Sequence, residues 1–550
     1  MRPLLQALAA LAAVALLNAS LTFYNVWPTL KVRWRGHLSL ELAAAVLALA
    51  AAAWVGRRHR ARWLLRTLAI GWMALVVGRY LDVVAPALYG RPVNLFWDLR
   101  HVSAVAAMMT DAVAGPLVVA GVIGLVLLLG VVYLAVRLAF AAVAAAMDAR
   151  PPRLAFAAAA LAVIAVSVAQ NVGGRRDLPI TVAPTVTATY WQQARLVARQ
   201  VGRPPVAAAS AELSADLGGL RGADVLLVFM ESYGAVTLDR PAVALPLSAA
   251  RQRFEADAAA TGRRVVSAMV DSPTFGGSSW LAHVSLMTGV EARDEGTNVA
   301  LMSERRDTLV SAFARAGYRT VALMPGLRHA WPEGAFYGFD TIYDTAALGY
   351  AGPRFGWWTV PDQFALARLD DLERGRAGRQ PLFLFFPTTS THAPFGPTAP
   401  YQPDWSRLVS AAPFGEPELA QALARVPDYF DLAPSYVNAV SYGFATLGGY
   451  LQRHPTRDLV LVLIGDHQPA AAVAGEGASW DVPVHVVTDR AGVLDALVAR
   501  GFHAGATPAR QSLGPMHALL PTLLSAFGEA PVRAAAHRPA PVAPAAEETR

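Results

Sequence analysis

Apolar and polar positions alternate along this chain on two different scales. Across residues 1–171 the apolar residues form long runs, at about 4–24, 38–56, 65–86, 112–137 and 153–170. Each approaches the ~20 residues that carry a helix across a bilayer. From residue 222 the runs become short. Asp224–Met230, Arg264–Val270, Tyr318–Met324, Pro381–Pro387, Asp458–Ile464 and Val482–Val487 read as buried strands. Helical patterns fall between most of them, at Ala249–Ala260, Asp307–Gly317, Pro361–Arg374, Ser435–Arg453 and Gly492–Gly501. Strands that alternate with helices predict a mainly parallel sheet flanked by helices on both faces.

The expected architecture is therefore a multi-pass α-helical membrane region of about five spans, followed by an extracytoplasmic α/β domain. Residues 1–171 hold the spans, and 172–221 form a linker with one amphipathic helix near 187–202. Residues 222–527 form the α/β domain, and the Ala-, Pro- and Arg-rich tail 528–550 is expected to be disordered.

Composition supports this division. The chain has 550 residues, 55% of them hydrophobic and only 16% charged, which is too apolar for one soluble protein. It has no cysteine, which excludes disulfides, thiolate metal sites and Cys nucleophiles together. The formal charge of +7 is no sign of a nucleic acid partner, because much of it flanks apolar runs, where Arg sets membrane topology. The clusters Arg57-Arg58-His59-Arg60-Ala61-Arg62 and Asp148–Arg153 belong in the cytoplasm by that rule. The N-terminus is then inside, and everything after 171 lies on the periplasmic or extracellular side of the inner (plasma) membrane. Lys31, Arg33 and Arg35 fall on the outer side against the rule; the denser Arg57 cluster decides.

Four strand ends in the α/β domain carry chemistry. Asp458–Ile464 runs into Gly465-Asp466-His467-Gln468, and Asp with His suits a borderline divalent metal just where open α/β sheets place their sites. A Gly-Asp turn is also common on surfaces. Asp224–Met230 leads into Glu231-Ser232-Tyr233-Gly234, either a further carboxylate ligand or an ordinary helix start. Asp271-Ser-Pro-Thr274-Phe-Gly-Gly277-Ser278-Ser279 is a Gly-rich turn that opens a helix. Its backbone can approach an anion, and a hydroxyl there can be activated to attack, or can simply cap the helix. Pro387-Thr-Thr-Ser-Thr391-His392 follows another strand, and His392 can hold a phosphoryl oxygen or protonate a leaving group. His283, one helical turn after Ser279, either lines the site or packs, and His485 in an apolar strand reads as core.

The order strand-Glu, Gly-rich hydroxyl turn, strand-Thr-His, strand-Gly-Asp-His resembles the alkaline phosphatase superfamily. With apolar spans in front, the chain is similar to its membrane-anchored sulfatase-like branch, which includes lipoteichoic acid synthase and periplasmic phosphoglycerol transferases. The resemblance implies one divalent metal, manganese first and zinc or magnesium otherwise, held by Glu231, Asp466, His467 and the nucleophile. It implies that His392 contacts the substrate phosphate. Counting nine residues back from Thr288-Gly289, as in several members, marks Ser279 as nucleophile, with Ser278 and Thr274 as alternatives. It also implies a membrane phospholipid donor and an envelope glycan or other hydroxyl acceptor.

The departures matter too. Ser279 is followed by Trp280, Leu281, Ala282 and His283, so the Pro and Arg of formylglycine sulfatases are missing. Phosphoethanolamine transferases usually carry disulfides, and this chain has no Cys. Trp331 fits the glycerol phosphate pocket of lipoteichoic acid synthases, but the matching Arg position is Glu333; Arg328 can reach in instead. A family serine after the metal His is Ala471 here. A hydrolase of phosphate or sulfate esters, and a catalytically inactive membrane sensor, are the competing readings.

Overall fold

The computed structural model describes residues 2–26, 29–56, 61–99, 115–171, 179–200, 216–329, 331–356, 359–374 and 379–528, with single positions at 102, 106 and 213. The Arg57–Arg60 cluster, much of 100–114, residues 172–178, 201–212 and 214–215 of the linker, and the tail 529–550 lie outside the described residues. The chain divides into two compact units.

The first unit holds residues 1–204 and two short excursions of the later chain, 428–432 and 470–478. Its helices are α1 (Arg2–Thr22), α2 (Leu40–Val55), α3 (Arg62–Tyr89), α4 (Gly115–Ala146), α5 (Arg150–Asn171) and α6 (Val186–Gln200). Four of them, α1, α3, α4 and α5, are long and apolar enough to cross a membrane. The second expected span is a helix too, but a short one. Ser39 caps α2 by accepting the Leu42 N–H, and Gly56 ends it, leaving 16 residues. At 1.5 Å per residue that is about 24 Å, short of the ~30 Å hydrocarbon core. The helices bury Leu17, Leu49, Trp72, Phe140 and Val143 against one another. Gly78 of α3 lets α6 approach closely, since a Cβ there would meet Val186 at 2.6 Å. A two-stranded hairpin, Phe23–Asn25 with Val32–Trp34, joins α1 to α2.

The second unit is built on one sheet. Its strands are β1 (Asp224–Met230), β2 (Arg264–Asp271), β3 (Arg319–Leu323), β4 (Thr341–Tyr343), β5 (Leu382–Pro387), β6 (Leu459–Gly465), β7 (Asp481–Thr488), β8 (His503–Ala504) and β9 (Ser512–Pro515). The order is β8-β2-β7-β6-β1-β5-β3-β4, with β9 also paired to β2. The pairs around β1, β5 and β6 and on to β4 are parallel; β7 runs against both β6 and β2, and β8 against β2. The expected mainly parallel sheet is thus present with two reversed strands.

Helices cover both faces of this sheet. Leu227 and Phe229 of β1 join a core with Ala282 and Leu286 of α8 (Ser279–Thr288, after α7 at Pro241–Ala259). The opposite face takes α9 (Asp362–Arg374) and α10 (Ala433–Arg453); Gly443 of α10 sits so close that a Cβ would meet the Met230 thioether at 2.9 Å. Each fully buried Leu, Val or Phe of β1 and β6 contributes about 1.5–3 kcal/mol relative to exposure. Helix α7 begins at Pro241, eight residues before the pattern predicts, with Pro246 inside it. Pro241 at the first position forfeits nothing, because that N–H has no intrahelical partner, whereas Pro246, the sixth residue, removes one helix hydrogen bond.

Candidate active site

The register of the central strands brings the site together. Met230 of β1 pairs with Gly465 of β6, so Glu231 and Asp466 leave the sheet side by side at its carboxyl edge. Phe229 pairs with Pro387 of β5, and the Glu231 N–H donates to Thr388 Oγ1 at 3.1 Å. Ser232 then turns the chain in the left-handed region, at φ 56°. Its N–H donates to Asp466 Oδ1 at 2.8 Å, and its carbonyl accepts the Tyr436 hydroxyl at 2.8 Å. Asp466 Oδ1 also accepts the His467 N–H at 2.7 Å.

The His467 ring is oriented by its neighbour. Nδ1 lies 2.7 Å from the Gln468 carbonyl, which can only accept, so Nδ1 carries a hydrogen and Nε2 is the ring nitrogen turned to the site. Nε2 faces Ser279 Oγ at 3.2 Å, Glu231 Oε1 at 3.3 Å and Asp466 Oδ2 at 3.7 Å. Ser279 Oγ donates to Glu231 Oε2 at 2.9 Å.

The hydroxyl turn is tied to the same strand end. Ser272 Oγ donates to the Asp466 carbonyl at 2.5 Å, and the Gly276 N–H donates to the Gln468 carbonyl at 2.9 Å. Ser278 occupies the N-cap in the left-handed region at φ 61°, and Ser279 is the first residue of α8. Helix N-terminal N–H groups and the helix dipole favour an anion there. Of the three candidate hydroxyls, only that of Ser279 hydrogen-bonds the carboxylate–imidazole cluster. Thr274 Oγ1 is committed to the Gly277 carbonyl at 2.6 Å and shapes the turn.

His392 follows β5 in a turn held by Asp362, which accepts the Thr389 N–H at 2.8 Å and the Ser390 N–H at 3.1 Å. The His392 Nδ1 meets the Ala393 carbonyl at 2.7 Å. His283 packs between Phe229 and Phe385, with ring centroids at 4.5 and 5.3 Å. Burial pushes it down to about 3, so it is neutral there. Trp331 packs on the hydrophobic core beside Tyr337, and Arg328 is partly exposed in the loop before it. His485 is fully buried in β7.

Three supporting residues escape a reading of the sequence: Tyr436, Asp362 and Gln468. Tyr436 and Asp362 lie on expected helices and Gln468 in the turn after β6, but each acts through a contact with a distant part of the chain. The Gln468 side chain accepts the Val236 N–H at 3.1 Å and donates to the Ser479 carbonyl at 3.0 Å, so it wedges the Glu231 turn against β6.

The electrostatics fit a cation. Burial alone would raise Glu231, but the charge of His467 outweighs it and holds the carboxyl well below its usual range. Asp466 is pushed well up, by burial and then by the negative charge of Glu231. Burial would lower His467, yet the two carboxylates lift it to about 9. Ligand atoms of Glu231, Asp466 and His467 lie within 4.8 Å of one another. Asp466 Oδ2 is buried with no hydrogen-bond partner among the described residues. A buried carboxylate oxygen left unpaired is costly, and a bound divalent ion would satisfy it. Two carboxylates, one imidazole Nε2 and a nearby hydroxyl form a donor set that such an ion accepts.

This sheet and this cluster make an α/β domain with a buried carboxylate–imidazole site at the carboxyl edge of its central strands. Residues 225–489 match the Sulfatase family model, which describes a family of enzymes. No curated protein matches the chain. Among solved structures it is similar to a protein in the alkaline phosphatase superfamily from Vibrio parahaemolyticus, at 17% identity and TM-score 0.37, covering 56% of this chain and 66% of that one. It is similar to the lipoteichoic acid synthase LtaP from Listeria monocytogenes, at 14% identity and TM-score 0.36, over 58% and 78% of the two chains. It is also similar to the integral membrane lipooligosaccharide phosphoethanolamine transferase EptA from Neisseria meningitidis, at 14% identity and TM-score 0.48, over 94% and 95%.

Proposed function

We propose that this protein is a membrane-anchored transferase that moves a phosphoryl-linked head group, of the phosphoglycerol kind, from a phospholipid donor to a hydroxyl acceptor in the cell envelope. The observation that carries the reading is the Ser279 hydroxyl, which sits at a helix N-terminus 2.9 Å from Glu231 and 3.2 Å from His467 Nε2. Glu231, Asp466 and His467 would hold a divalent ion, manganese first and zinc or magnesium otherwise. Such an ion, when bound, supplies positive charge to a phosphoryl oxygen and to an attacking oxygen.

In the first step the Ser279 Oγ–H proton passes to Glu231 Oε2. Oγ bonds to phosphorus, and the bond from phosphorus to the diacylglycerol oxygen breaks. His392 donates a proton to that leaving oxygen. The free N–H groups at the start of α8 hold the phosphoryl oxygens in place. In the second step the acceptor hydroxyl gives its proton to His392 as its oxygen bonds to phosphorus, the Ser279 ester breaks, and the serine takes its proton back from Glu231. Water in place of the acceptor makes the same site a hydrolase. A membrane anchor suits a lipid donor, because both partners share one surface and meet at raised effective concentration.

The test uses the full-length protein with manganese and head-group-labelled phosphatidylglycerol, with and without a glucan acceptor. Transfer predicts release of diacylglycerol, label on Ser279 in trapped protein, and label on the glucan. Free glycerol phosphate as the sole labelled product would assign the hydrolase instead. No turnover of lipid or ester substrates would favour the inactive sensor.

A further inference from the structure

The hairpin between α1 and α2 carries a pattern that the catalytic reading does not use. From Leu30 to Arg35 apolar and basic residues alternate, as Leu30-Lys31-Val32-Arg33-Trp34-Arg35, and no acidic residue occurs between 23 and 40. In an extended strand this alternation puts the apolar side chains on one face and the basic ones on the other. Leu30, Val32 and Trp34 remain 61%, 44% and 58% exposed. Trp34 keeps its polar end satisfied, with Nε1–H donating to the Ala19 carbonyl at 3.0 Å near the end of α1. A Trp with an exposed ring and a bonded N–H, at the end of a membrane helix, is the chemistry of the bilayer interface.

The positive charge here is concentrated and only partly neutralised. Arg35 lies over the Tyr24 ring at 4.5 Å and Arg79 at 4.7 Å, so two guanidinium groups share one aromatic. Arg79 is held from below by the Phe23 carbonyl at 2.7 Å. His37, whose Nδ1 meets the Tyr24 hydroxyl at 3.1 Å, is pushed below its ordinary value by burial and then by Arg35 and Arg79. Within this unit Arg35 alone of the hairpin's cations has an acidic partner, Glu476 at 2.9 Å. Lys31 and Arg33 are exposed and have no ion-pair partner among the described residues.

We infer that the basic face of this hairpin, with Lys31 and Arg33 at its centre, binds anionic phospholipid head groups of the leaflet that meets this end of the bundle, while Leu30, Val32 and Trp34 enter the acyl boundary. Charge complementarity selects an anionic lipid over a zwitterionic one, since basic residues at a membrane surface each add several-fold to its retention. The hairpin thus enriches anionic lipid beside the protein.

The test is a lipid titration of full-length protein in detergent, carried in the Ser279→Ala background so that no lipid is consumed. Bound phosphatidylglycerol and phosphatidylcholine are counted by native mass spectrometry. Phosphatidylglycerol should bind more tightly. Lys31→Gln with Arg33→Gln should weaken it roughly 30-fold while leaving phosphatidylcholine unchanged. Lipid at the catalytic pocket is common to both proteins and cancels. Trp34→Ala should weaken both lipids alike. Lys31→Glu, a single exposed change checked by unaltered elution in gel filtration, should weaken phosphatidylglycerol on its own. Equal binding of the two lipids by the parent, or an undiminished preference in the double variant, would overturn the inference.

Discussion

Ser279 Oγ donates a hydrogen bond of 2.9 Å to Glu231 Oε2 across 48 residues of chain, and this contact singles out one hydroxyl from a turn that offers three. Ser278, next to it, spends its conformation on the turn rather than on chemistry. Ser279→Ala is expected to lower diacylglycerol release by on the order of 10³-fold or more. Ser278→Gly should keep most of the activity, because glycine adopts the left-handed backbone freely, and Ser278→Ala, which keeps the same Cβ and loses no cap hydrogen bond, should change stability little. Single-turnover assays beside thermal denaturation separate these effects. Full activity in Ser279→Ala would move the nucleophile elsewhere.

Asp466 divides its two oxygens between structure and ligand. Oδ1 ties the backbone of Ser232 and His467, while Oδ2 is buried with no hydrogen-bond partner among the described residues. Chelation should therefore silence the protein, and manganese should restore it. Asp466→Asn keeps the shape and can keep the Oδ1 bonds, but places a neutral amide where Oδ2 lies. It should weaken metal retention by at least about 100-fold, measured by elemental analysis after dialysis, with little change in circular dichroism. Wild-type metal content in Asp466→Asn would remove that oxygen from the ligand set.

Gly465 ends β6 where the Glu231 turn crosses it. A Cβ there would stand 1.8 Å from the Tyr233 carbonyl, which belongs to backbone and cannot swing away. Gly465→Ala should push the Glu231 turn off the strand and lose metal binding and activity together. Gln468→Ala acts on the same turn from the other side. It leaves the buried Val236 N–H without its acceptor, at a cost of about 1–3 kcal/mol, yet it spares the backbone carbonyl that orients His467. Its expected signature is a lowered melting temperature with only a modest change in metal affinity.

The strand ends were legible in the sequence because buried parallel strands are short apolar runs and their last residues stand out as Glu, Asp-His and Thr-His. The direction of β7 was not legible. Asp481–Thr488 is buried along most of its length, and an apolar run has the same pattern read either way. The strands Thr341–Tyr343 and His503–Ala504 are too short to show a period. Tyr436 was read as part of a helix, and only the fold brings its hydroxyl to the Ser232 carbonyl, 204 residues away in sequence. The 16 residues of α2, apolar but for Glu41, looked like a span because composition does not reveal where Ser39 and Gly56 cap the helix.

His485 was read as a core residue, and its surroundings give that reading a measurable consequence. Ser267 Oγ lies 2.6 Å from the Gly505 carbonyl and so donates to it, which leaves the same oxygen to accept from His485 Nδ1–H at 2.6 Å. Nε2 then accepts the Tyr233 hydroxyl at 3.0 Å. Burial, and after it the charge of Arg251, lowers the imidazole to about 3, so it stays neutral in the fold. The unfolded chain binds this proton near the ordinary histidine value of about 6.5. Between these values the unfolded state holds more protons, so the contribution is fully present above pH ~6.5 and is lost as pH falls toward 3. The slope is about 1.4 kcal/mol per pH unit for one proton. His485→Gln removes the titrating group from the same buried position. It should lower the melting temperature at pH 8 by leaving the network imperfectly paired, yet flatten the decline from pH 6.5 to 4 relative to the parent. Melting curves across that range decide the point. Parallel pH profiles for parent and variant would mean that His485 carries a proton in the folded protein.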